Sequence, residues 1–164
     1  MSLYSRRHFG MTLATATITG CGFTPIYGPK GKGAALLDQI SMGQPKNRNA
    51  YLLQQRIEER LGRAPSGDWL LIPQITTENI SLGYTEDGKI TRYNIFGSAD
   101  YTLQRAGSQE VSKQGKVQHF TSYSATGTTV ATLAAERDAR ARFMTILADQ
   151  MIDQLLLVAE DLRI

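Results

Sequence analysis

Hydrophobic and polar positions change rhythm several times along the chain, and each rhythm names an element. In "NRNAYLLQQRIEERLG" (47–62), Leu53, Ile57 and Leu61 recur every four residues, which lines them up along one side of a helix. Asn47 or Asn49 offers the side-chain oxygen that the free N–H groups of a helix start require, and Gly62 stands where the helix stops. Gln54, Gln55, Glu58 and Glu59 fill the opposite side as a solvated surface.

The period then shortens to two. "DWLLIPQITTENISLGY" (68–84) is rich in Trp, Leu, Ile and Thr and reads as a strand. Pro73 has no N–H to give a ladder, so it points to a sheet edge or a bulge. Asp87-Gly88 signals a hairpin turn. In "ITRYNIFGSADYTLQ" (90–104), Tyr93, Ile95, Gly97, Ala99, Tyr101 and Leu103 share one face. Arg92, Asn94, Ser98, Asp100 and Thr102 lie on the other, and Phe96 is the exception on that polar side. After the turn "RAGSQE", the strand "VSKQGKVQHFTSYSA" (111–125) places Val111, Gly115, Val117, His119 and Tyr123 at even spacing. These three strands form a meander.

Two further elements complete the order. "ALLDQISMG" (35–43) is a short apolar run closed by Gly43 and Pro45, and reads as a strand. The stretch from Thr129 to Arg163 is a long helix capped by Thr128 or Thr129. Val130, Leu133, Arg137, Met144, Leu147, Met151, Leu155 and Val158 follow a spacing of three and four, widened by Phe143, Ile146 and Ile152. The expected fold is α+β, in the order β-α-β-β-β-α: a small antiparallel or mixed four-stranded sheet with two helices packed on one face.

Composition sharpens this picture little. A chain of 164 residues with 41% hydrophobic and 20% charged residues suits one domain, taken here as 35–164. Its 18 basic and 15 acidic residues lose Arg6 and Arg7 if a leader is removed, leaving 16 against 15. Those charges are interspersed, as in "RIEERLGR" and "AAERDARAR", so nucleic acid is not an expected partner.

The first twenty residues read as an export signal. Arg6 and Arg7 precede about ten mildly apolar residues, too few to span a bilayer. "SRRHF" (5–9) also resembles the twin-arginine consensus of the route that exports folded proteins. Ile18-Thr19-Gly20-Cys21 then resembles a bacterial lipobox: an aliphatic residue, small residues, and the only cysteine in the chain. A free buried cysteine is the plain alternative for a lone thiol. Its place directly after a signal favours acylation. Cys21 would then carry a diacylglyceryl thioether and an N-acyl chain. Several acyl tails, at about 0.8 kcal/mol per buried methylene, hold a protein on a membrane more firmly than one. Gly22 at the next position is compatible with the outer membrane. "GFTPIYGPKGKG" (22–33), with two prolines and four glycines, reads as a tether, so residues 21–34 form a lipidated lead into the domain.

Chemistry of its own is not expected. The mature chain holds His119 as its one histidine beside the acylated cysteine, too few residues for a zinc site or a catalytic triad. "GPKGKG" lacks the Lys-Ser/Thr ending of a phosphate loop. Glu58-Glu59 and Glu86-Asp87 sit on a solvated helix side and in a turn. No catalytic residue, metal or non-covalent cofactor is expected.

Three stretches carry a family resemblance. "GCGFTPIYG" (20–28) resembles the mature start of the LptE lipopolysaccharide-assembly lipoproteins, with Ile26 in place of a leucine. "ITRYNIFGSADYTL" is similar to that family's third strand, where Arg follows Thr and Tyr-x-Leu closes the run. "SYSATGTTVATLAAERDARARFMTILADQMIDQLLL" resembles its alphaproteobacterial branch, with Met151 in an isoleucine position. The resemblance implies a plug inside the outer-membrane β-barrel LptD. It implies periplasmic-side anchoring in the outer membrane and contact with lipopolysaccharide. The phosphates of that lipid suit basic side chains on an exposed strand face: Arg92 first, then Lys89, Lys113 and Lys116. Arg92 has a structural alternative, holding the sheet through a carboxylate such as Asp100. Two other roles stay open: a generic lipid-anchored periplasmic adaptor, and a carrier of a small apolar ligand between sheet and helices.

Overall fold

The computed structural model describes residues 31–159. A 3-10 turn at Lys32–Ala35 leads into β1 (Ile40–Met42), α1 (Arg48–Leu61), β2 (Trp69–Tyr84), β3 (Ile90–Arg105), β4 (Val111–Ser124) and α2 (Thr129–Val158). The sheet order is β1-β2-β3-β4. β1 runs parallel to β2, and the other pairs are antiparallel. The α+β order read from the sequence is the one observed, and the sheet is mixed.

The local signals act where they stand. Asn47 Oδ1 accepts from the Ala50 N–H at 2.9 Å, and Thr128 Oγ1 accepts from the Ala131 N–H at 3.2 Å. Gly62 takes a positive φ of 86° to end α1, and Gly88 takes 81° in the β2–β3 turn. The run expected as a strand from Ala35 is shorter than its apolar pattern. Asp38 adopts φ 57°, a turn that separates the buried Leu36 from β1, so only Ile40–Met42 pair with Trp69–Leu71.

One face of the sheet is covered. Trp69 and Leu71 of β2, Ile95, Ala99, Tyr101 and Leu103 of β3, and Val117 and Tyr123 of β4 join the same buried cluster as the helices. Leu53, Ile57 and Leu61 supply the α1 side of that core, as their spacing predicts. Phe143, Met144, Leu147, Met151, Ile152 and Leu155 supply the α2 side, each fully buried.

Two expectations of burial are corrected. Val130 and Leu133 are 77% and 47% exposed, and Arg137 is exposed as well. In this first third of α2 the stripe that continues into the core is Thr132, Ala135 and Ala139, all small residues. Val111 is also outside the core. β4 carries one extra residue between the pairs Leu103–Lys113 and Gln104–Val111, and a bulge moves everything before it to the other face.

The long helix crosses the sheet obliquely. Near its start, Arg140 and Glu136 meet Asn79 of β2 at 3.3 and 3.5 Å. In its middle, Phe143 stacks on His119 of β4, ring centres 6.3 Å apart. Near its end, Gln154 donates to the carbonyl of Lys116 at 3.2 Å and accepts from the Tyr101 hydroxyl at 2.8 Å. Arg56 and Arg60 of α1 clamp Asp149 of α2 at 3.0–3.2 Å.

Candidate functional site

Among the described residues, no helix covers the second face of the sheet. Antiparallel pairing sets its rows across three strands: Ile72–Thr102–Gln114, Gln74–Asp100–Lys116, Thr76–Ser98–Gln118, Glu78–Phe96–Phe120 and Ile80–Asn94–Ser122. Polar side chains fill most of these positions, as alternation requires for a face turned to water. Phe96, the exception in the strand pattern, has a partner. Its ring stacks on Phe120 with centres 5.6 Å apart, and the two are 38% and 57% exposed. Beside them lies a groove of about 450 Å³ lined by Thr76, Glu78, Ser98, Lys116 and Gln118. The β4 ring was not singled out in the sequence. Its signal was available: Phe120 falls in the same register as the polar Gln118 and Ser122.

The four basic candidates do not form one cluster. Arg92 lies on this open face, paired in register with Gly83 and Ser124. Lys89 is in the β2–β3 turn, 2.6 Å from Asp87, which also accepts from the Thr85 hydroxyl. The Lys89 ammonium and the Thr85 hydroxyl hold the Asp87 carboxyl below the usual carboxylate range. Lys116 also faces the open side but stands about 27 Å along β4 from the Arg92 row, at roughly 3.4 Å per residue. It pairs with Asp100 at 3.3 Å. Asp100 therefore serves Lys116, and the alternative that it holds Arg92 is not what the fold builds. Lys113 shares the register position of Leu103, on the helix-facing side. The structure thus separates Lys89 and Arg92 at the hairpin end from Lys113 and Lys116 at the far end, with the aromatic pair between them. Arg6, Arg7, Gly20 and Cys21 lie outside the described residues. Among the described residues, no helix is long and apolar enough to cross a membrane.

The model of the lipopolysaccharide-assembly family LptE matches residues 37–155. The chain belongs to the LptE family. That match covers every element from β1 onward and most of α2. LptE proteins are non-enzymatic lipoproteins of lipopolysaccharide assembly, associated with the outer membrane. Solved structures repeat the fold. A lipoprotein from Caulobacter crescentus CB15 is 20% identical, with a TM-score of 0.64 over 77% of this chain and 93% of that one. The rare lipoprotein B of Shewanella oneidensis is 14% identical, with a TM-score of 0.58 over 77% and 98%. A minor lipoprotein of Acinetobacter baumannii is 13% identical, with a TM-score of 0.54 over 72% and 88%. No curated protein sequence matches the chain.

Proposed function

We propose that this LptE-family chain is held on the inner leaflet of the outer membrane by acyl groups on Cys21. There it fills the lumen of the lipopolysaccharide-inserting barrel LptD and supports its assembly. The observation that carries this reading is the shape of the sheet. β2 and β3 have 16 residues each and β4 has 14, so the sheet is about 50 Å long at roughly 3.3 Å per residue. The apolar band of an outer-membrane barrel is about 25 Å tall, so a body of this length reaches through a barrel. A wet lumen also suits an open face of alternating polar residues and interspersed charge.

The described chain starts beside Leu36 and Gln39, whose carbonyl accepts from the Trp69 N–H at 3.0 Å, at the β2 start. The β2–β3 turn with Lys89 lies at the opposite pole. We read Lys89 and Arg92, at the pole opposite the first described residues, as the end of the plug that meets lipopolysaccharide phosphates. The filled space between sheet and helices, with Phe143, Leu103 and Leu147 fully buried, weighs against a carrier of small apolar ligands.

The test is depletion in the native host combined with detergent extraction. Loss of the protein should stall lipopolysaccharide before surface delivery, and the extracted protein should bring LptD with it. Normal surface delivery together with no recovered barrel would end this reading. Cys21→Ala should abolish labelling with palmitate, and retained label would refute the anchor.

A further inference from the structure

The two borders of the sheet are built differently. In the β2–β3 ladder, the Ala106 N–H bonds the Asp68 carbonyl at 2.8 Å, whereas the Trp69 N–H turns outward to Gln39. Bonding direction alternates along an antiparallel strand, so the odd residues of β2 face outward. β1 covers only Trp69–Leu71. Beyond that cover the border carries Pro73 at an outward position, the charged Glu78, and two register shifts between Ser81 and Tyr84. Missing donors, charges and bulges are the devices that stop a border from pairing with another chain.

β4 lacks them in its second half. The Ala125 N–H bonds the Thr91 carbonyl at 2.8 Å, one rung past the Arg92–Ser124 pair. By the same alternation, Val117, His119, Thr121 and Tyr123 turn their backbone groups toward β3. Lys116, Gln118, Phe120, Ser122 and Ser124 turn theirs outward. The outward carbonyl of Lys116 is taken by Gln154 of α2. From there the oblique helix leaves the border for Asn79 on β2. Gln118, Phe120 and Ser122 thus present outward N–H and C=O groups without a partner among the described residues. Val117–Ser124 contains no Pro, Asp, Glu, Lys or Arg and no register shift.

We infer that the Val117–Ser124 border of β4 accepts an extended, uncharged segment of the partner protein as a fifth strand. This inference rests on the proposed partnership with LptD and names the surface through which it is made. Only another extended backbone matches a row of alternate outward N–H and C=O groups. A closed barrel wall has every strand paired, so the segment comes from a part of the partner outside that wall. The border offers no charge to pair with one on the incoming segment, so an uncharged segment fits it best. Phe120 gives the incoming strand an aromatic neighbour on the open face, already steadied by Phe96 at 5.6 Å. A symmetric pairing of two copies centred on Phe120 would set the Gln154 cap of each against the β4–α2 loop of the other, so a single segment fits better.

The experiment uses the full chain co-expressed with the LptD of the same genome. Gln118→Pro and Ser122→Pro remove outward donors without touching a bond to β3. Both should keep the circular dichroism and melting temperature of the parent protein and lower LptD recovery at least tenfold. Full recovery with the fold intact overturns the inference while leaving the partnership standing. Failure of the unaltered chain to recover LptD overturns both. Should the proline variants misfold, Ser122→Lys and Gln118→Lys place charges on the same border and should give the same loss. A benzoylphenylalanine photo-crosslinker at position 122 should attach to LptD, and attachment to a second copy of this chain overturns the inference.

Discussion

The two faces of the sheet share one alternating backbone and opposite surroundings. On the helix side, aromatic and aliphatic residues are locked into a cluster with α1 and α2. On the other, Phe96 and Phe120 stack in the open among Thr76, Ser98, Gln118 and Ser122. The lesson is that ring stacking alone does not mark a core. Tyr93 and Tyr123 stack at 5.3 Å beneath α2, and Phe96 and Phe120 stack at 5.6 Å facing water. The first pair bears on stability. The second has no described element above it, and so is better placed to meet a partner.

Substitution tests this contrast most strongly at Phe143, which is fully buried between His119 and the Gly97 region. Phe143→Ala should cost about 3–5 kcal/mol in chemical denaturation, through lost burial and the cavity left behind. A loss below about 1 kcal/mol would mean that the covered face is not the stabilising one.

Gly115→Ala comes next. A Cβ there would run into the hydroxyl and ring of Tyr101, which is nearly fully buried and tied to Gln154 at 2.8 Å. Overpacking of this kind should cost about 1–3 kcal/mol. In a double-mutant cycle, disappearance of the Gly115→Ala cost in a Tyr101→Ala background, which removes both hydroxyl and ring, would identify the clash, and an unchanged cost would refute it.

A smaller effect is expected at the clamp between the helices. Burial pushes the Asp149 carboxyl up, but hydrogen bonds from Arg56 and Arg60 outweigh it, and the group rests below the ordinary carboxylate value. A depressed folded-state pKa gives stability that is present above the unfolded value near 3.9. That stability is lost as pH falls through the folded value. With both partners about a third exposed, the contribution is about 1 kcal/mol or less. Asp149→Asn should remove this part of the acid dependence below about pH 4, read from urea midpoints. An unchanged acid profile would show that the clamp is not titrating.

The smallest stability change belongs to the open face. Phe120→Ala should alter stability by less than about 1 kcal/mol, the range of one cross-strand pair. It should still weaken LptD recovery. A large stability loss with unaltered recovery would erase the distinction between the faces.

Much of this was legible along the chain. The caps at Asn47 and Thr128, the stop at Gly62 and the turn at Gly88 depend on a few neighbouring residues, and local backbone chemistry decides them. The inward rows of β3 and the α1 stripe follow from periods of two and near four, which any packed partner would use. Pro73 also announced an edge, and it sits where β1 has ended. The candidate site was legible only in pieces. Phe96 stood out as an irregularity, but the ring that meets it lies 24 positions away, and strand register alone brings them together.

Which elements form, in what order, and which side of most of them turns inward follow from spacing and from near neighbours along the chain. Tertiary structure decided the rest. The angle of α2 across the sheet left Val130 and Leu133 outside and closed the border of β4 at Lys116 but not at Phe120. The register of the meander set Lys116 beside Asp100 and parted the four basic candidates. Crossing angle and register arise from contacts between residues far apart in the chain, and no local pattern encodes them.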